Sequence, residues 1–138
     1  MSSIEEASEI AGFSVATPDL TLGILSKPNT GYSIDVNQLV QLGNRPAPRP
    51  VGLSWELADG SKIRLLQAPG LQIPNIGEPI TISNQLGERV FFEAESYMPP
   101  RVALYWMNGD IGFSLFGTLT DSVSEETLIS IANSVAIR

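Results

Sequence analysis

The chain contains no cysteine and no histidine among its 138 residues. Without cysteine there is no disulfide, no thiolate nucleophile and no thiolate metal site. Without histidine the commonest neutral-pH base and the commonest metal ligand are missing too. Ser-His-Asp and Cys-His constellations are therefore excluded. Positive charge is scarce as well: 8 Lys and Arg stand against 15 Asp and Glu, a formal net charge of −7. Such a field repels phosphate backbones and anionic lipid, so neither nucleic acid nor an anionic membrane surface is an expected partner. No stretch approaches the roughly 18 uninterrupted apolar residues of a membrane span. The opening residues lack both the basic start and the apolar run of about 7–15 residues that mark a signal peptide. The chain as given is expected to be soluble.

What is present fits a chain with a sizeable core. Hydrophobic residues make up 43% of the sequence, enough for one domain over residues 1–138 and too short for two. The clearest signal is near the C-terminus, where two alternating apolar runs flank Asn108-Gly109. Asn-Gly suits the positive φ angles of a type I′ hairpin turn. With that pair at the tip, Met107 faces Asp110, Trp106 faces Ile111, Leu104 faces Phe113 and Val102 faces Leu115. The last three pairs share one core-facing side, and the opposite side carries Ala103, Tyr105, Met107 and Phe116.

A second hairpin spans Val51 to Gln67. A two-residue turn at Asp59-Gly60 would set Trp55 against Arg64. A three-residue loop, Ala58-Asp59-Gly60 with Gly60 in the left-handed position, pairs Trp55 with Ile63 and Leu53 with Leu65 instead. Burying four large side chains at about 1.5–3 kcal/mol each decides for the longer loop. A Pro/Gly-rich crossing, Ala68 to Pro79, leads to Ile80-Thr81-Ile82 and, after a turn at Asn84 to Gly87, to Glu88–Tyr97. There Val90, Phe92 and Ala94 alternate with Arg89, Glu93 and Glu95, and Phe91 breaks the pattern.

Helices bracket these strands. Ser122 stands three residues before Glu125 in capping-box spacing, with Leu128, Ile131, Ala132 and Val135 following at helical period. Near the N-terminus, Ser2 or Ser3 can cap a short helix with Ile4, Ala7, Ile10 and Ala11 on its apolar side and Gly12 at its end. The expected class is α+β: an antiparallel sheet of about six strands built from hairpins, with a short N-terminal helix and a C-terminal amphipathic helix packed on it.

No catalytic residue, metal or cofactor is assigned from the sequence. Glu93 and Glu95, two apart on one strand face, are the nearest thing to a carboxylate pair for a hydrolase, but a solvated strand face accounts for them. Asp19, Asp35, Asp59 and Asp110 form no calcium-loop motif, and turn or cap roles suffice. Arg45-Pro46-Ala47-Pro48-Arg49-Pro50 reads as a stiff crossing loop before it reads as a polyproline ligand. Trp55, Trp106, Tyr105 and Phe116 suggest core aromatics rather than a shared pocket.

Two segments resemble an uncharacterised bacterial domain family. Val102-Ala103-Leu104-Tyr105-Trp106-Met107-Asn108-Gly109-Asp110-Ile111-Gly112-Phe113-Ser114-Leu115-Phe116-Gly117, followed by Ser124–Ser134, is similar to that family's Trp-bearing strand, turn, second strand and closing helix. Ala7–Pro18 is similar to its opening helix and first strand. Members are commonly the C-terminal extracytoplasmic parts of anti-sigma-factor-like membrane proteins, or lie beside lipoprotein-carrier-like modules. The resemblance implies a non-catalytic sensory or interaction domain, extracytoplasmic when excised from an anchored precursor and cytoplasmic if native as given. It would present Tyr105, Met107 and Phe116 to a protein partner or lipid-like ligand. A carboxylate-dependent hydrolase and a self-associating structural module are the alternatives, and the sequence leaves the oligomeric state open.

Overall fold

Strand alternation puts a row of leucines on one side of the chain's hairpins, and that row is the backbone of the core. A computed structural model describes residues 4–19, 32–36, 50–57, 60–71, 75–120 and 123–137. The helices are α1 (Ile4–Ala11) and α2 (Glu125–Ser134). The strands are β1 (Tyr32–Val36), β2 (Val51–Glu56), β3 (Lys62–Pro69), β4 (Glu78–Ile82), β5 (Gln85–Phe92), β6 (Arg101–Asn108) and β7 (Ile111–Thr118). All neighbouring strands pair antiparallel, in the order β1-β2-β3-β7-β6-β5-β4. The fold is thus α+β, two meanders lying side by side and joined where β3 meets β7. Among the described residues seven strands form rather than about six. The extra one, β1, is a short apolar alternation of Ile34 and Val36 with Ser33 and Asp35.

Ile34, Leu53, Leu65, Leu115 and Leu104 lie in register across five strands, and all are buried. Arg89 ends the row at its β5 position, where its guanidinium pairs with Glu125 on α2 and, at 3.6 Å, with Glu78 on β4. Leu128, Ile131 and Ala132 of α2 close over this face, as the helical period predicts. Ala7 and Ala11 of α1 are buried, but Ile10 is 44% exposed, so it is not on the packed side of that helix.

The β2–β3 hairpin has the three-residue loop, with Trp55 opposite Ile63, Leu53 opposite Leu65 and Gly60 at φ +85°. Ala58 and Asp59 themselves lie outside the described residues. The β6–β7 hairpin differs from its expected register by two residues. Asn108 pairs with Ile111, Trp106 with Phe113, Leu104 with Leu115 and Val102 with Gly117. The turn residues are Gly109 and Asp110, with positive φ at Gly109 alone, the pattern of a type II′ turn rather than I′. A two-residue shift keeps every side chain on its face, so the apolar alternation could not distinguish the two registers. The gain is an offset-compatible stack of Trp106 on Phe113, 5.1 Å between centroids and 10° between planes.

Three further expectations are corrected. The β4–β5 turn is Ser83-Asn84, both at positive φ, and β5 starts at Gln85 rather than after Gly87. Helix α2 is capped by Ser124, whose hydroxyl accepts from the Thr127 N–H at 3.1 Å. Ser122, Ser2 and Ser3 lie outside the described residues. Residues 13–18 form no strand, but an extended run tied down by one bridge between Thr17 and Ala136.

That run is held to the sheet by a side chain. Gln67 occupies a core position between Val51 and Phe113 and is fully buried. Its Oε1 accepts from the Ala16 N–H at 2.8 Å, and its Nε2 donates to the Ala16 carbonyl at 2.7 Å. Replacing Gln67 by Leu leaves both main-chain groups of Ala16 without partners in a dry interior. The expected loss is about 2–4 kcal/mol, counting roughly 1–3 kcal/mol per stranded group and partial relaxation. Urea denaturation of Gln67→Leu beside the parent chain measures it.

Candidate outer-face site

The face turned away from the helices is chemically mixed. Across its middle, Ser33, Ser54, Arg64, Phe116, Ala103 and Val90 stand in register. The next row runs Asp35, Gly52, Leu66, Ser114, Tyr105, Glu88 and Pro79. Tyr105, Met107 and Phe116 therefore do share the face, as their alternation requires, and each is half-buried. Phe116 lies 6.3 Å from Phe92, over which the Arg101 guanidinium sits at 5.5 Å. Arg101 also reaches Glu95 at 3.7 Å and the Met98 sulfur at 3.6 Å.

Part of this face is covered by the chain itself. The described parts of the connection from β3 to β4, Gly70–Leu71 and Asn75–Gly77, lie against this side, and residues 72–74 between them are outside the described residues. Gly70 donates to the Asp110 carbonyl at 2.9 Å, and a Cβ at Gly112 would lie 2.0 Å from the Leu71 oxygen. Only a residue without a side chain fits beneath the crossing there. Farther along, Glu88 is 8% exposed and its two carboxylate oxygens accept from the N–H groups of Asn75, at 2.7 Å, and Gly77, at 2.9 Å. Asn75 is in the left-handed region at φ 60°. The carboxylate thus fixes a strained corner of the strap by two charge-assisted bonds.

Away from the strap, a cleft of about 600 Å³ opens on the same face, lined by Ser33, Ser54, Glu56, Lys62, Arg64 and Phe116, with the strand backbone at Trp55 and Ile63 in its floor. Arg64 meets Asp35 at 3.5 Å across the rim. A smaller cleft of about 180 Å³ lies at the other side of the sheet, where Trp106 and Phe113 meet the C-terminal Val135, Ala136 and Ile137.

The aromatic set divides between the faces. Trp55 and Trp106 are buried beneath the helices, while Tyr105 and Phe116 are on the outer side, so the four line no common pocket. Glu93 and Glu95 fall past the end of β5, exposed, and neither borders the outer-face cleft. The Asp residues are dispersed: Asp35 pairs with Arg64, the Asp19 N–H donates to Ser134 Oγ at 3.0 Å, and Asp110 serves the hairpin turn. Asp59 and the 45–49 part of the proline run lie outside the described residues. Among the described residues no group of three carboxylates could hold a metal ion. None of their helices is long and apolar enough to cross a membrane.

Sequence reasoning did not single out Gln67, Glu88, Gly112 or the Lys62–Arg64 pair. A polar residue at an apolar phase of β3 and a glycine inside a strand were the available signals for the first and third. Compared with known families, with characterised proteins and with solved structures, the chain matches none.

Glu88→Ala removes the acceptor of both strap N–H groups. We expect a loss of about 1–3 kcal/mol with faster amide hydrogen exchange at Asn75 and Gly77, while the Trp106 indole signal of the helix side stays in place. Exchange-detected NMR reads both.

Proposed function

We propose that the protein is a non-catalytic sensory or interaction domain, acting outside the cytoplasm as part of an anti-sigma-factor-type regulator, and that its outer sheet face receives the partner or a lipid-like ligand. The observation that carries this reading is half-buried Phe116 beside an open cleft on the side the helices leave free, with half-buried Tyr105 and Met107 on the same face toward the crossing chain. Aromatic and Met side chains of this kind are the residues enriched where proteins meet partners. The compartment and the regulatory role rest on the resemblance of the two terminal segments alone.

The hydrolase alternative draws no support from the positions of its carboxylates. Glu93 and Glu95 are exposed, and Glu95 is occupied by Arg101. Self-association through a sheet edge is disfavoured at β4, where Pro79 removes a ladder donor from a strand of only five residues.

A photoreactive phenylalanine analogue at Phe116 or Tyr105, carried by the full natural precursor in its host, tests the reading. Both positions should give a discrete adduct, which mass spectrometry assigns to protein or lipid, and Glu9 on α1 should give none. Adducts of equal yield from all three positions, or from none, would remove the outer face as the binding surface.

A further inference from the structure

We propose that the outer-face cleft is a binding site for a small zwitterion of the α-amino-acid class that carries an apolar side chain. This rests on the interaction-face reading above and names what the face would sense.

The residues around the cleft form a compact grid. Lys62 and Arg64 are two apart on β3 and project to the same side, about 7 Å apart along the strand. Glu56 stands directly across from Lys62 on β2 and diagonal to Arg64, while Ser54 faces Arg64 and Ser33 faces Ser54. On the other flank Phe116 is the direct neighbour of Arg64. A hydroxyl floor is therefore bordered by two cations, one near carboxylate and one aromatic ring.

Arg64 is already set in place. Its guanidinium lies across Gly52, where a Cβ would come within 2.8 Å of Nη2, and it meets Asp35 at 3.5 Å. Both members of that pair are about half exposed, so a carboxylate can compete for the remaining N–H donors at little cost. Lys62 and Glu56, although opposed, make no ion pair with each other or with any described residue. Among the described residues neither has a charged partner, so both can meet a ligand.

Charge decides the ligand class. Among the described residues Lys62 and Arg64 balance Glu56 and Asp35, so the cleft is neutral within a chain of net charge −7. A simple anion would approach against the overall field, and a simple cation would satisfy the carboxylates and strand the two bases. A zwitterion meets both signs: its carboxylate between Lys62 and Arg64, its ammonium toward Glu56. The apolar body then lies along the Phe116 ring and the methylene stems of the two bases. A volume near 600 Å³ accommodates an amino acid or a dipeptide.

Titration of the 15N-labelled chain with L-phenylalanine, N-acetyl-L-phenylalanine, L-phenylalaninamide and phosphoethanolamine tests the proposal. L-Phenylalanine should shift the amides of Ser33, Ser54 and Arg64 saturably, with a Kd at least tenfold below that of either half-neutralised analogue. Glu56→Gln and Arg64→Gln, each checked for an unchanged melting curve, should weaken it at least tenfold. No saturable shift, or equal binding of the acetylated or amidated form, overturns the proposal. Binding of phosphoethanolamine alone also overturns it, because a lipid headgroup would then be the ligand. If the zwitterion fails while the outer-face adducts persist, only this inference falls and the interaction reading stands.

Discussion

Gln67 holds Ala16 by donor and acceptor at once, and the helix side of the molecule is organised around that grip. A side-chain amide has the same hydrogen-bonding groups as a peptide unit, so it pairs with the main chain of residue 16 much as a neighbouring strand would. In a fully apolar core an extended segment could not lie on the sheet's face without stranding its polar groups. With Ala16 fixed, Thr17 can bridge to Ala136 and the Asp19 N–H can reach Ser134. The segment after α1 and the segment after α2 are thereby laid side by side. One buried amide thus substitutes for a missing strand.

The two faces of the sheet obey different rules. Among the described residues the helix side is built from leucine rows and the Trp106–Phe113 stack, and Arg89 there is neutralised by Glu125 and Glu78. The outer side is partly roofed by main chain, pinned by Glu88 and made possible by the bare Cα of Gly112. What the strap leaves uncovered is the half that carries Ser33, Ser54, Lys62, Arg64 and Phe116. Among the described residues, that half is where the outer-face cleft opens.

How much of this could be read from residues alone follows from the kind of information each feature needs. The face assignments of β2, β3, β6 and β7 were legible because strand alternation is local, and the loop at Gly60 was legible because only one loop length buries Trp55 with Ile63. The register of β6 against β7 was not, since a shift of two residues preserves alternation and only the packing of Trp106 chooses between Ile111 and Phe113. The α2 cap is Ser124 rather than Ser122 because two serines precede the helix at similar spacing, and only the residue at which the helix begins decides which hydroxyl meets the Thr127 N–H. Tyr105, Met107 and Phe116 were placed on one face correctly, yet the cleft beside Phe116 was invisible. It depends on β3 lying next to β7, a pairing that joins residues about fifty positions apart.

That same β3–β7 seam has a consequence for how the chain reaches its native state. The four strands from β4 to β7 are consecutive hairpins and can zip locally, as can the β2–β3 hairpin on its own. Joining the two halves costs closure of a long loop and pays back only when Leu65 meets Leu115. Until then β7 and β3 each show a row of unpaired N–H and C=O groups, so the half-assembled chain is the form most prone to pair with a copy of itself.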